Sequence, residues 1–238
     1  MIFLKKIAIF FFDCLDKYIH QKKIISNLEK INTKIDIIFD VGSHKGTYTD
    51  LFLKNFNISK SFIFEPQKDI FHYIKKKYKN NKKVLISSSA VSNQNKTKKF
   101  FVNKHDLTSS FTVLNKKNNY LKYKSILFGG DIKSMIVNTY NVKTIKLIDF
   151  INKIKIKQID LLKIDTEGHE YQVLLGLGKK IKNIKIILIE FHNDEIYSNY
   201  DSKKIHMFLT KNKFKLQKKI KFPFTEWEDR IYISENII

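Results

Sequence analysis

From residue 35 onward, short apolar runs alternate with segments whose apolar residues recur at helical spacing. Residues 35–42 (IDIIFDVG) form an apolar, β-branched run ending at glycine, the pattern of a buried strand. Residues 47–56 then read as a helix. Residues 61–66 (SFIFEP) read as a second strand, stopped by proline. Residues 68–79 are helical, with Ile70, Phe71 and Ile74 on one face. Residues 83–92 give a third strand. Residues 159–168 and 184–192 give two more, separated by a helical stretch at 169–181. The chain closes with a helix at 203–211 and strands at 214–220 and 230–234.

This alternation predicts an α/β fold with a mostly parallel seven-stranded sheet and helices on both faces. The last two strands lack a long crossover between them, so one is expected to run antiparallel at the edge. Residues 96–156 fit the alternation less well and read as an insertion of strands and loops that covers a pocket. Residues 1–34 read as a helical extension, leaving 35–238 as one domain. The apolar run at 7–12 is stopped by Asp13, far short of the roughly 20 residues that span a bilayer. No small residues follow it to mark signal cleavage. Residues 1–20 are therefore read as an amphipathic helix packed on the domain, with peripheral membrane contact as the alternative.

Composition changes this picture less than its charge suggests. The 238 residues carry 45 Lys+Arg against 23 Asp+Glu, a formal net charge of +22, which first points to nucleic acid. Yet Arg230 is the only arginine and Ala8 and Ala90 the only alanines. Lysine is the poorer residue for bidentate phosphate and base contacts. The bias toward Lys, Ile, Asn, Phe and Tyr matches residues encoded by A- and T-rich codons. The six lysines at 75–83 fit a solvated helix face. Cys14 is the only cysteine, excluding an internal disulfide framework and a cysteine-rich metal site. A reducing, cytoplasmic setting is the default.

In an open α/β sheet, ligands bind beyond the carboxyl ends of the strands. The first strand ends in Asp40-Val41-Gly42-Ser43-His44-Lys45-Gly46, and the second ends in Glu65, 23 residues after Gly42. A carboxylate there can accept both hydroxyl protons of a ribose. The spacing is G-x-x-x-G rather than the G-x-G-x-x-G of a dinucleotide site, and Asp40 precedes it. A carboxylate is poor company for pyrophosphate but suits the ammonium and sulfonium of S-adenosylmethionine. An NAD-dependent oxidoreductase is accordingly disfavoured. The stretch from Lys163 to Glu170 then places Asp165, Glu167 and Glu170 within six residues of a strand end. Asp165 is expected to be functional, while Glu170, one turn into the next helix, has a cap or other structural role as its competing explanation.

The motifs IFDVGSHKGTYT, IFEP, SSSAVS, DLTSSF, VKTIKLIDF, IDLLKIDTEGHEYQVLLG and IILIEFH together resemble the FkbM-type S-adenosylmethionine-dependent methyltransferases. The resemblance covers roughly residues 35–220. It implies a Rossmann-like class I methyltransferase fold and methyl transfer to a hydroxyl oxygen of a sugar, glycan or other secondary metabolite. By this resemblance Asp40, Gly42, Ser43 and Gly46 surround the methionine part of the cofactor, and Glu65, followed by Pro66, holds the ribose. Ser89 and Ala90, within the 88–91 stretch, lie against the adenine. Asp165, Glu167 and His169 face the reacting centre. The chain departs from the family at Ser43, His44 and Lys45, between the glycines, and at Ser89, where an asparagine or acidic residue often stands. Lys45 is expected to point away from a cationic cofactor.

Methyl transfer to an alcohol is an in-line displacement that also removes the hydroxyl proton. His169 and His192 are the candidate bases, with Asp165 and Glu167 as rivals. A divalent metal held by Asp165, Glu167 and His192 is a further option that no spacing signature demands. Ser109 and Ser110, in DLTSSF, are candidate acceptor contacts, with an ordinary loop as the competing explanation. Two other functions stay open: an RNA or DNA methyltransferase, and a non-catalytic scaffold. The first lacks the Asp/Asn-Pro-Pro-aromatic block of base-amine methylation, since Pro66 and Pro223 are the only prolines.

Overall fold

The computed structural model describes residues 2–31, 33–103, 109–112, 115, 118, 136–193, 196–198 and 200–236. Helix α1 (Ile2–Leu15) runs through a π-helical turn (Asp16–His20) into α2 (Gln21–Glu29). There follow β1 (Ile37–Val41), α3 (Thr47–Asn55), β2 (Lys60–Phe64), α4 (Lys68–Lys77), β3 (Val84–Ser87), β4 (Ala90–Val91), β5 (Thr97–Asn103) and β6 (Ile136–Ile145). The second half holds α5 (Leu147–Ile154), β7 (Ile159–Ile164), α6 (Glu170–Leu175), a 3₁₀ stretch (Gly178–Asn183), β8 (Ile184–His192), α7 (Ser202–Lys211), β9 (Phe214–Lys221) and β10 (Trp227–Ser234).

The main sheet has seven strands in the order β3-β2-β1-β7-β8-β10-β9. Five are mutually parallel, and β10 is antiparallel to both β8 and β9. This is the Rossmann-like architecture the alternation predicts. Every residue of β7 is buried, because helices cover both faces. On one face Ile38, Leu161, Ile186 and Leu188 pack against Ile24 and Leu28 of α2 and Phe52 of α3. On the other, Phe39, Phe62 and Leu162 meet Leu147 and Ile151 of α5, Leu174 of α6 and Leu209 of α7. Phe150 stands edge-on to Phe39, Phe62 and Phe64 at centroid distances of 6.1, 5.8 and 5.0 Å.

Three stretches differ from the alternation. The run at 83–92 is not one strand: β3 stops at Ser87, and β4 leaves the main sheet to pair parallel with β6. There β6 also pairs antiparallel with β5, giving a three-stranded sheet β4-β6-β5. The strand begun at 159 ends at Ile164 rather than 168, because the next residues turn across the end of β1: Asp165 N donates to Val41 O at 3.0 Å. Residues 147–154 form a helix on the main core, so the added sheet draws on 97–103 and 136–145. Residues 104–108, 113–114, 116–117 and 119–135 of the 96–156 stretch lie outside the described residues. In α1, Ile7, Phe10 and Phe11 are exposed, while Phe12 stacks on Phe222 at 6.3 Å. Among the described residues no helix is long and apolar enough to cross a membrane.

Candidate active site

The strand order reverses between β1 and β7, the switch point where open α/β sheets bind ligands. Val41 pairs with both Phe64 and Ile164, so the ends of β1, β2 and β7 lie level, while β8, paired to Ile164 through Ile189, runs three residues further to His192. Gly42 leaves β1 at φ +80°, and a Cβ there would run into the carbonyl oxygen of Asp165. Only glycine lets β1 and β7 close up at this point. The Gly42 and Ser43 amides donate to Phe64 O at 3.0 and 3.3 Å, folding the loop over β2. The His44 amide, at φ +45°, donates to Glu65 Oε2 at 2.9 Å, and the Gln67 amide to Glu65 Oε1 at 2.7 Å. Both carboxylate oxygens of Glu65 are thus aimed by backbone. Burial nevertheless pushes the Glu65 carboxyl up to about 7, against the two amides and with Asp40 and Asp165 adding to the rise.

Gly42, Glu65, Pro66, Ala90, Ser109, Asp165, Glu167 and His169, gathered from five separate stretches of sequence, line one cavity of about 90 Å³. His44, Gln67, Phe100, Phe111 and Thr166 complete much of its wall. Other expected contacts sit elsewhere. Asp40 is fully enclosed: Thr49 Oγ1 donates to it at 2.6 Å, and Lys163 Nζ stands 3.8 Å away, so it meets the cavity through its neighbours rather than directly. Ser43 is buried outside the cavity wall. Gly46, at φ +76°, leads into α3 under Tyr78, whose ring would collide with any side chain there. Ser89 is half-buried, its amide donating to Ser87 Oγ at 3.2 Å. Lys45 is exposed.

The turn after β7 is held on several sides. Glu170 Oε1 accepts from the amides of Thr166 (2.9 Å) and Gly168 (3.1 Å), so this carboxylate stabilises the turn it follows. Ser110 does not line the cavity; its Oγ bonds the carbonyls of Thr166 (3.1 Å) and Glu167 (2.7 Å). Thr112 Oγ1 donates to Gly168 O at 3.0 Å. These bonds support Glu167 at φ +56°, a strained value for a residue with a Cβ. The Tyr197 hydroxyl donates to Glu167 Oε2.

Sequence inspection missed Lys163, Glu190 and Gln67. Lys163 is the only buried lysine among the described residues. Its Nζ bonds Asp165 Oδ2 at 2.8 Å and lies 4.5 Å over the Tyr48 ring. Burial opposes its charge, but Asp165 and Asp40 hold its pKa above the ordinary lysine value. Asp165, half-buried, is held below the usual range by Lys163 and by a hydrogen bond with Glu190, against the desolvation that opposes its charge. Glu190 is pushed well up by burial and by Asp165, so the shared proton belongs to Glu190. A charged residue inside an otherwise apolar strand was the available signal for both Lys163 and Glu190. Gln67 Oε1 is buried without a hydrogen-bond partner beside Glu65. Glu167, Glu190 and His192 bring potential ligand atoms within 4.8 Å of one another, so Glu190 stands where Asp165 was expected in that group. His169 Nε2 lies 3.0 Å from Ser92 Oγ, and burial, with Lys98 nearby, lowers its pKa to about 3.

Carboxylates thus converge at the strand ends beneath a lysine-rich exterior. The methyltransferase FkbM domain matches residues 40–216. The chain belongs to the FkbM methyltransferase family. It is 24% identical over 182 residues to the 2-O-methyltransferase NoeI of Sinorhizobium fredii, covering 74% of this chain and 70% of that protein. It is 22% identical over 157 residues to the hexuronic acid methyltransferase AglP of Haloferax volcanii, covering 66% of this chain and 56% of AglP. The crystal structure of the methyltransferase FkbM from Methylobacillus flagellatus matches 84% of this chain and 43% of its own at 11% identity, with a TM-score of 0.50. The chain thus spans a little over half of AglP and less than half of the Methylobacillus protein.

Proposed function

We propose that this FkbM-family chain is an S-adenosylmethionine-dependent O-methyltransferase whose acceptor is a hydroxyl of a sugar or glycan. The observation that carries the reading is the charge distribution at the switch point. Asp40, Asp165 and Glu170 cluster with one buried ammonium, that of Lys163, while Glu190 beside them keeps its proton. A cationic sulfonium is favoured in such surroundings, and a pyrophosphate is not. Glu65 is placed for the ribose hydroxyls, with the unpaired Gln67 Oε1 beside it for a further donor. The names of NoeI and AglP support oxygen as the acceptor atom and a hexuronic acid-like sugar as its class.

The chain's own residues then divide the work. Glu65 and the Gly42 turn orient the cofactor. Asp165, fixed by Lys163, holds negative charge beside the sulfonium. Bound S-adenosylmethionine would supply the methyl group to the acceptor oxygen, with a neutral thioether as its leaving group. The acceptor's proton passes to Glu167, in the turn after β7, or to His192, at the end of β8. His169 is a poor base, since its pKa near 3 gives little driving force at neutral pH; it positions the wall through Ser92. Ligand pockets usually run to about 300–1,000 Å³, so binding requires the cavity of about 90 Å³ to widen.

The test is calorimetry with S-adenosylhomocysteine on the native chain and on Glu65→Ala. One site in the native chain and at least a tenfold loss in the variant are expected. No heat with the native chain would overturn the reading in favour of a non-catalytic scaffold.

A further inference from the structure

His192 is the last residue of β8, and its side chain is only 5% exposed. Neither ring nitrogen has a hydrogen-bond partner among the described residues. Leaving an enclosed imidazole in that state is unfavourable, so the site suits a ligand that takes up a nitrogen lone pair. Nε2 stands 2.9 Å from Glu190 Oε2, a second buried atom without a hydrogen bond. The two are close but not aligned as donor and acceptor.

That separation has a simple geometric meaning. Two ligand atoms at right angles around an ion, with bonds of about 2.1 Å, lie about 3.0 Å apart. Glu167 brings the third atom, all three falling within 4.8 Å of one another. Supporting residues are in place as well. The Tyr197 hydroxyl fixes Glu167. The rings of Tyr197 and Tyr200 stand edge-on to His192 at 4.8 and 5.5 Å, setting its orientation. Asp165 bonds Glu190 on its other side. Outer contacts of this kind orient metal ligands and raise affinity.

We infer that Glu167, Glu190 and His192 form a binding site for a divalent first-row cation of the Mn²⁺ or Zn²⁺ type. Two carboxylates with one imidazole suit such an ion better than Ca²⁺, which takes an all-oxygen shell. Three protein ligands leave positions open. The role of those positions rests on the methyltransferase reading: they hold the acceptor's hydroxyl oxygen against the methyl group and lower its pKa. Cation binding itself needs no cofactor and is measured without one.

The 238-residue chain, stripped with chelator and desalted, is titrated with MnCl₂ while electron paramagnetic resonance follows free Mn²⁺. One site per chain is expected, with Zn²⁺ competing for it. Glu190→Gln and His192→Gln each weaken it at least tenfold. Glu167→Gln, on a half-exposed turn, does the same while its melting temperature and circular dichroism confirm the fold. Binding that is unchanged in all three variants, or only multiple weak sites, overturns the inference. Calorimetry with S-adenosylhomocysteine on the same stripped protein separates the two proposals. Heat without a Mn²⁺ site removes the cation and leaves the methyltransferase; a Mn²⁺ site without heat does the reverse.

Discussion

Glu65 gives the sharpest test of the cofactor site, because burial moves its titration into the working pH range. With a carboxyl pKa pushed up to about 7, the group is half protonated at neutral pH in the free protein. Only the carboxylate can accept both ribose hydroxyls while also accepting the His44 and Gln67 amides. Affinity for S-adenosylhomocysteine should therefore scale with the ionised fraction, roughly 0.1 at pH 6 and 0.9 at pH 8, and tighten about tenfold between them. Binding at pH 7 should release about half a proton, read from calorimetry in two buffers of different ionisation enthalpy. The stability of the free protein runs the other way. A carboxyl raised from 4.5 to about 7 stabilises the fold relative to its ionised form below pH 4.5. That contribution is lost as pH climbs to 7, a change of roughly 3 kcal/mol. Glu65→Gln should flatten the binding profile and weaken binding at pH 8 by about tenfold or more. Equal affinity at pH 6 and pH 8 in the native chain, or a slope that survives in Glu65→Gln, would refute the assignment of Glu65 to the ribose.

The remaining expectations concern how the site is held. Lys163→Met leaves the buried Asp40 and the half-buried Asp165 without their cation and should lower unfolding free energy by about 3–5 kcal/mol in urea titration; a change below 1 kcal/mol would remove Lys163 from its place in the network. Ser110→Ala strips the hydroxyl from the Thr166 and Glu167 carbonyls and should cost about 1–3 kcal/mol. It should also weaken cofactor binding, and a variant with native stability and affinity would contradict the bracing role. Leu162→Ala, at the fully buried centre of β7, should cost about 2–5 kcal/mol by denaturant titration. A nuclease-treated sample should elute from heparin at low salt, and retention at high salt would revive a nucleic-acid partner for the lysines at 75–83.

Periodicity placed the main elements because each strand of the main sheet buries its own apolar side chains, a property written locally. The spacing of Gly42 and Glu65, with the acidic block after β7, located the switch point and named residues that share the cavity. Resemblance supplied the family. Hydrophobic pattern could not show that the 83–92 run breaks between two sheets, since Ala90 and Val91 are apolar in either one and only pairing with β6 separates them. Nor could it tell that Asp40 turns inward to Thr49 and Lys163 while Asp165 and Glu167 face the cavity. That choice depends on which cation each carboxylate meets, and Lys163 lies 123 residues from Asp40 along the chain. The pairing of Glu190 with Asp165, and the enclosed His192 beside it, arise from adjacent strand ends on β7 and β8. Burial there sets where protons sit and which lone pairs are left open. The sequence by itself determined the layers and the position of the site; the tertiary structure decided its polarity, because desolvation and long-range pairing exist only once the strands are side by side.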